Sequence, residues 1–221
     1  LWDDSRTMQT AYPDTAIIIF AKEPVPGKVK TRLIPALGGN NAARLYEQMF
    51  EHVINTIVAS QLAEAYLYVT PESNRQYFQK RASCKDLQIR IQQGKDLGQK
   101  MFNALNETLN HYKRAVLIGT DCPFLDAAHL HQAIAALAIN QANNNTMVFT
   151  PALDGGYVLV GASKICREVF DTIDWGTARV MSQTRTAMKN KQIQWQELDS
   201  LQDIDRPEDL SSLSHLYNFR K

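Results

Sequence analysis

The most constraining feature of this chain is how the period of its apolar patches changes along it. Ala16-Ile17-Ile18-Ile19-Phe20-Ala21 is a continuous, Ile-rich run. It is far too short to cross a membrane and reads as a strand buried on both faces. The next patch has another period. Leu45, Met49, Val53 and Ile57 fall four apart, with Ile54 and Val58 on the neighbouring row. This stripe predicts a helix over 41–58, with Asn40 or Asn41 as its cap. Strand-like segments follow at 65–70, 88–91, 115–119, 147–151, 157–161 and 193–198. Helical ones lie between them at 72–82, 97–112, 127–139 (capped by Asp126), 178–190 and 207–216. Such alternation predicts an α/β chain: a mostly parallel sheet with helices on both faces. In open sheets of this kind ligands sit at the carboxyl ends of the strands. The loops after 21, 91, 119 and 151 are therefore where chemistry is expected.

Composition narrows the function. The 221 residues hold 24 Lys and Arg against 23 Asp and Glu, a formal net charge of +1. That balance leaves no global footprint for nucleic acid or for a membrane surface, so any anion site is local. The start, Leu1-Trp2-Asp3-Asp4, is acidic rather than the basic opening of a signal peptide. Cys84, Cys122 and Cys166 are odd in number and widely spaced. They suggest neither a disulfide framework nor a zinc site, and a reducing, cytoplasmic compartment is expected. Cys122 reads as packing. With no repeat and no linker, a polar arm over 1–14 and one domain over 15–221 are the simplest organisation.

Two loops carry the candidate chemistry. After the first strand, Lys22, Lys28, Lys30 and Arg32 lie within eleven positions, around Gly27. In an extended segment Lys28, Lys30 and Arg32 would point the same way, and Gly27 would let the backbone approach a ligand. Cations on the ligand side of a parallel sheet suit a phosphate chain. The spacing is neither that of a Walker A loop nor GxGxxG. After the fourth strand, Gly119-Thr120-Asp121-Cys122-Pro123 places Asp121 just beyond a buried segment. Mg²⁺ takes one or two carboxylates together with phosphate oxygens, and Asp121 is such a carboxylate. A turn residue that helps start the next helix is the alternative.

Further motifs follow in order. Gln93-Gly94-Lys95-Asp96-Leu97-Gly98 precedes a helix that Asp96 can cap. Asp154-Gly155-Gly156-Tyr157 joins two strands and also has the form of a hairpin turn. Trp175-Gly176-Thr177 comes next, a sugar platform or a core Trp with a Thr cap. Last is Asp203-Ile204-Asp205-Arg206-Pro207-Glu208, whose Asp205 and Glu208 have the form of a capping box. His129 and His131 are two apart on a predicted helix, which points them to different faces and suggests surface placement.

This ordered set resembles the GT-A-fold nucleotide-diphospho-sugar transferase superfamily. Within it, the chain is similar to the bacterial glycosyltransferase-like family related to phospholactate guanylyltransferase, some members of which are linked to arsenosugar biosynthesis. The resemblance spans about residues 16–212. It implies a Rossmann-like GT-A domain and a metal-dependent transferase that uses a nucleotide-activated donor. It assigns Lys22, Gly27, Lys28, Lys30 and Arg32 to the nucleotide phosphates, and Gln93, Leu97 and Gly98 to the base. Asp121 and Asp205, with Asp203 in reserve, fall to Mg²⁺ or Mn²⁺. Asp154, Gly155, Gly156 and Trp175 fall to a sugar or another small-molecule acceptor. Lys28, Lys30, Arg32 and Asp121 form the catalytic set. Three activities remain open at this point: nucleotidyl transfer from an NTP to a phosphorylated acceptor, glycosyl transfer from a nucleotide sugar, and nucleotide binding without turnover. The base, the acceptor and the oligomeric state are left undefined.

Overall fold

The structure is a computed structural model that describes residues 10–139 and 145–215. Seven strands form one sheet: β1 Thr15–Ala21, β2 Glu64–Val69, β3 Gln88–Ile91, β4 Arg114–Ile118, β5 Asn145–Pro151, β6 Tyr157–Ala162 and β7 Gln194–Glu197. Their order is β3-β2-β1-β4-β6-β5-β7. β1 pairs in parallel with β2 and β4, β2 with β3, and β5 with β7. Only β6 runs the other way, antiparallel to both β4 and β5. The helices are α1 Ile34–Leu37, α2 Gly39–Ser60, α3 Arg75–Ser83, α4 Leu97–Leu109, α5 Ala127–Ile139 and α6 Val180–Asn190.

The buried run of β1 behaves as its composition predicts. Ile17, Ile19 and Ala21 pack with Phe50, Val53, Ile54 and Ile57 of α2, Phe78 of α3 and Leu130, Ile134 and Leu137 of α5. The alternate residues Ala16, Ile18 and Phe20 pack with Met101 and Leu105 of α4 and Met181 and Met188 of α6. Both faces are covered, so the strand has no polar face to show. A third cluster sits at one end, where Val29 and Leu33 of the basic loop meet Leu45 and Met49 of α2, Ile204 and Leu213.

Several local expectations change. α2 begins at Gly39 with Gly38 as its cap and no side-chain cap bond. Asn41 instead donates to the Leu37 carbonyl at 2.9 Å. The last helix is a 3-10 segment, Pro207–His215, and position 216 lies outside the described residues. In 3-10 winding, positions three apart eclipse, which sets Leu210 and Leu213 together against the third cluster. The expected box is closed by Asp209 rather than Glu208: its Oδ2 accepts the N–H groups of Asp205 and Arg206 at 3.0 and 2.7 Å. Asp126 does cap α5 through the His129 N–H. His129 is buried rather than superficial. Its Nε2 meets Thr150 Oγ1 at 2.8 Å, and burial lowers its pKa. Cys122 is packed in the core, its thiol facing the Gln202 carbonyl and pushed up to about 12 by burial, then by Asp121. Of the expected arm, positions 1–9 lie outside the described residues. Ala11 and Tyr12 donate their N–H groups to Gln61 and Leu62.

A strap after β7 reaches back across the sheet end. Leu201 bridges Ala152, and the Ile204 N–H donates to the Asp121 carbonyl at 3.0 Å. Ile204 is fully buried, so this strap fixes where Asp203 and Asp205 stand.

Candidate active site

The sheet order changes direction at β1. The connection after β1 leads outward to β2, whereas β4 enters on the other side. A crevice at the carboxyl ends of β1 and β4 follows from this topology. A cavity of about 470 Å³ lies there, within the usual range for small-molecule sites. It is lined by the basic loop, by Gly119, Thr120 and Asp121 after β4, by Leu97 and Met101 of α4, by Tyr157 and Val158 of β6, and by Asp205.

The basic loop is not extended. Lys28 closes a turn through its N–H to the Val25 carbonyl, and Lys30 takes a left-handed φ of 46°. The three cations therefore part company. Lys28 stays exposed. The Arg32 guanidinium spans Asp205 Oδ2 at 2.5 Å and the Gly176 carbonyl at 3.1 Å. The Lys30 side chain is only 5% exposed and turns inward. Its Nζ lies 3.2 Å from Asp121 Oδ2 and 3.6 Å from Asp205 Oδ1. Burial alone would lower the Lys30 pKa, but Asp121 and Asp205 outweigh it and hold it above the ordinary value. Asp205 shows the mirror image: burial pushes it up, and Lys30 and Arg32 bring it down past its ordinary value. Gly27 has φ 81°, but a Cβ there would meet nothing within 4 Å. Its positive φ serves the turn, and the space beside it is open.

Asp203 stands apart from this pairing. Burial first, then Asp121 and Asp154, push its carboxyl up to about 7. Among the described residues no three His, Cys, Asp or Glu side chains converge on a ready-made metal position. The donor chemistry still fits a hard cation. The Asp121 side chain is 42% exposed and lines the cavity, and Asp203 and Asp205 are its acidic neighbours. Mg²⁺ needs no more than one or two such carboxylates when phosphate oxygens complete its shell.

Of the residues named from sequence, Lys22, Lys28, Lys30, Arg32, Leu97, Asp121 and Asp205 line the cavity. Gln93, Gly98, Asp154, Gly155, Gly156, Trp175, Gly27 and Asp203 are not among its lining residues. Gln93 gives its carbonyl to Asn103. Asp96 caps α4 by accepting the Gln99 N–H at 2.8 Å. Gly98 lies under Trp175, where a Cβ would come within 2.5 Å of the Phe170 carbonyl oxygen and 2.7 Å of the indole Nε1. Asp154 holds the Gly156 N–H at 2.8 Å within the β5–β6 hairpin. At Gly155, φ is 93° and a Cβ would lie 2.2 Å from the Ala178 carbonyl. Trp175 packs edge-on to Tyr157, with centroids 6.2 Å apart.

Sequence reasoning missed two residues. Tyr46 of α2 is 7% exposed. Its hydroxyl accepts the Lys22 N–H at 2.9 Å and meets Thr120 Oγ1 at 3.0 Å, tying the basic loop to the acidic turn. Tyr46 precedes Phe50 by four in an apolar stripe, and a buried Tyr needs a partner for its hydroxyl; that was the available signal. Gln92, not Gln93, lines the cavity. Its Nε2 donates to the Ala21 and Tyr68 carbonyls at 3.2 and 2.9 Å, which directs its amide oxygen away from those carbonyls. Periodicity carried no sign of this.

The mixed sheet and the crevice at β1 and β4 define a nucleotide-diphospho-sugar transferase fold. A crystal structure of a candidate nucleotide-diphospho-sugar transferase from Desulfovibrio desulfuricans G20 is similar at 29% identity and a TM-score of 0.80. The match covers 95% of this chain and 91% of that one. A cytidylyltransferase from Leptospira borgpetersenii shares the fold at 14% identity and TM-score 0.61, covering 94% and 89% of the two chains. So does 4-diphosphocytidyl-2C-methyl-D-erythritol synthase from Anaerococcus prevotii, at 13% and 0.58, covering 92% and 95%. Residues 53–177, more than half of the chain, match the family described as "Uncharacterized protein conserved in bacteria (DUF2064)", and the chain belongs to that family. No functionally curated protein matches it. No described helix is long and apolar enough to cross a membrane.

Proposed function

We propose that this chain is a metal-dependent transferase acting on a nucleotide-activated donor, and that its reaction is nucleotidyl transfer from an NTP to a phosphorylated small molecule. The observation that carries the reading is the meeting of Lys22, Lys28 and Arg32 with Asp121 and Asp205 around one cavity at the sheet's switch point. An oxygen of the acceptor phosphate forms a bond to the α-phosphorus, the bond from that phosphorus to the bridging oxygen of the leaving group breaks, and pyrophosphate departs with the electron pair. The acceptor phosphate is already ionised near neutral pH, so no side chain has to remove a proton. Rate then comes from positioning and charge neutralisation.

Each wall of the cavity has a task in this reading. Lys22, Lys28 and Arg32 face the charge that develops on the pyrophosphate. Leu97, 44% exposed at the cavity edge, offers an apolar surface for the base, and the Gln92 amide oxygen accepts a base N–H. Tyr46 keeps Lys22 and Thr120 in register. Asp121 with Asp205 or Asp203 would hold Mg²⁺ or Mn²⁺, which supplies Lewis-acid polarisation of the phosphoryl oxygens when bound. Glycosyl transfer would place a sugar against the β5–β6 hairpin. Asp154 and Trp175 are engaged there in turn and packing contacts, which favours the nucleotidyl reading.

The test is a thermal-shift panel of the four NTPs and of UDP-, GDP- and dTDP-sugars, with and without Mg²⁺ or Mn²⁺. A ligand at a hundredfold excess over Kd adds about 2.7 kcal/mol, or about 5–10 °C for a chain of this size. A metal-dependent shift with one NTP, followed by pyrophosphate release with a phosphorylated acceptor, is expected. A shift confined to nucleotide sugars would replace this reading with glycosyl transfer, and no shift at all would leave neither. Asp121→Ala should abolish the metal-dependent shift. It should also lower the ligand-free Tm by a few degrees, because buried Lys30 loses one of its two carboxylates.

A further inference from the structure

We propose that Lys30 is an exchanging cation. In the ligand-free protein its ammonium holds the ground between Asp121 and Asp205, and a divalent metal gains these carboxylates only when phosphate groups draw the ammonium away. This rests on the nucleotide-and-metal reading above and deepens it: metal and phosphate ligand enter as an obligate pair.

Three observations carry the inference. The first is placement. Lys30 Nζ stands 3.2 Å from Asp121 Oδ2 and 3.6 Å from Asp205 Oδ1 with its side chain 5% exposed, so it takes one oxygen of each carboxylate that a metal would use. A dication brought to the same oxygens would face the ammonium at near-contact distance in a poorly screened setting, and the two cannot share them. The second is the backbone. Lys30 has φ 46°, a left-handed conformation that non-glycine residues seldom adopt. It sets Lys30 against its exposed neighbours in the loop and aims it inward. Left-handed backbone at a non-glycine residue persists where surrounding contacts hold it. The third is reach. Lys30 lines the same cavity as Lys22, Lys28 and Arg32. A lysine is a point charge on a flexible four-carbon stem, so a phosphate chain held by its neighbours would come within range of its head. Arg32 is bonded to Asp205 and Gly176, so of these two cations Lys30 is the one that bridges both carboxylates.

The experiment measures free Mn²⁺ by its electron paramagnetic resonance signal, with the whole chain, in the presence and absence of pyrophosphate, and takes as bound only the loss beyond a protein-free Mn²⁺–pyrophosphate control. The wild type should take up Mn²⁺ poorly on its own and well with pyrophosphate. Lys30→Met should raise affinity for Mn²⁺ alone by about 5- to 150-fold, the usual span of coupling between two ligands. With the ammonium already displaced in the pyrophosphate complex, Mn²⁺ affinity there should change little, so the coupling between Mn²⁺ and pyrophosphate should fall by the same factor. Adding Asp121→Asn should erase the gain. If Lys30→Met does not fold, the wild type alone decides, since binding of Mn²⁺ that is equally tight with and without pyrophosphate overturns the proposal. So does a folded Lys30→Met with no gain, and in both of those cases the transferase reading stands. If Mn²⁺ binds neither wild type nor variant, with pyrophosphate or with any NTP, the metal-dependent reading falls and this inference falls with it.

Discussion

Gly98→Ala separates two meanings of one residue. The family resemblance gives Gly98 to the nucleotide base, whereas the structure puts it beneath Trp175. A Cβ at position 98 would lie 2.5 Å from the Phe170 carbonyl oxygen and 2.7 and 2.8 Å from Nε1 and Cζ2 of the indole. Real Cβ contacts essentially never fall under 3.0 Å, so the carbonyl must retreat by about 0.5 Å and the indole must also tilt, or the helix backbone must shift away from both. The indole has little freedom, because it is braced edge-on against Tyr157, which in turn packs against Phe149. Overpacking of this kind costs about 1–3 kcal/mol, and alanine recovers at most about 1 kcal/mol over glycine in a helix. The net loss of about 1–2 kcal/mol corresponds to a fall in Tm of about 2–8 °C. Differential scanning calorimetry of the ligand-free protein reads this directly. Adding Trp175→Phe, which removes the offending half of the indole, should give a double variant less damaged than the two single losses summed. An unchanged Tm together with a collapsed nucleotide-induced shift would refute the packing argument and return Gly98 to the base.

Two further outcomes are expected. Tyr46→Phe should lower stability by about 1–2 kcal/mol in urea titration, since it leaves the Lys22 N–H and Thr120 short of a partner; it should also weaken nucleotide binding, and unchanged binding would show that the basic loop and the acidic turn hold their register without it. Asp203 keeps its proton to about pH 7 when folded but to only about 3.9 in an unfolded chain; the folded state thus binds more protons in between, and metal-free stability falls as pH rises from about 4 to 7. After discount for its partial exposure this amounts to about 1–2 kcal/mol, and Asp203→Asn should flatten that slope in Tm against pH; a slope equal to the wild type's would place the proton elsewhere.

The parts of this fold that sequence displays are those in which one physical period dominates. The Ile-rich run of β1 and the four-residue stripe of α2 gave their elements nearly to the residue, because burial on two faces and on one face leave different patterns. The order of strands was less visible. Asp154-Gly155 marks a hairpin, but nothing local says that β6 inserts between β4 and β5. The site divides in the same way. Asp121 was legible because it follows a buried strand, whereas Asp205 was reached only through the motif register of the family resemblance. The inward turn of Lys30 was not, because a spacing of two implies a common face only in extended backbone, and φ 46° breaks that geometry. Tyr46 and Gln92 were hidden by their neighbours: one sits in a stripe of core residues, and the other beside a glutamine that fits the motif better. Asp209 displaced Glu208 as the reaching carboxylate within a tighter helix whose winding propensities did not foretell.

The strap that ends in Asp205 has a consequence for biosynthesis. All seven strands lie within residues 15–197, so the sheet and both of its layers can form on a nascent chain before the strap leaves the ribosome. Until then Lys30 and Arg32 lack Asp205, and Ile204 has not sealed the end of the third cluster. The proposed site is thus completed only after the sheet, by a segment 173 positions from its Arg32 partner. A chain interrupted after β7 would carry all seven strands of the sheet but only half of the proposed site, so truncation there separates the fold from the site.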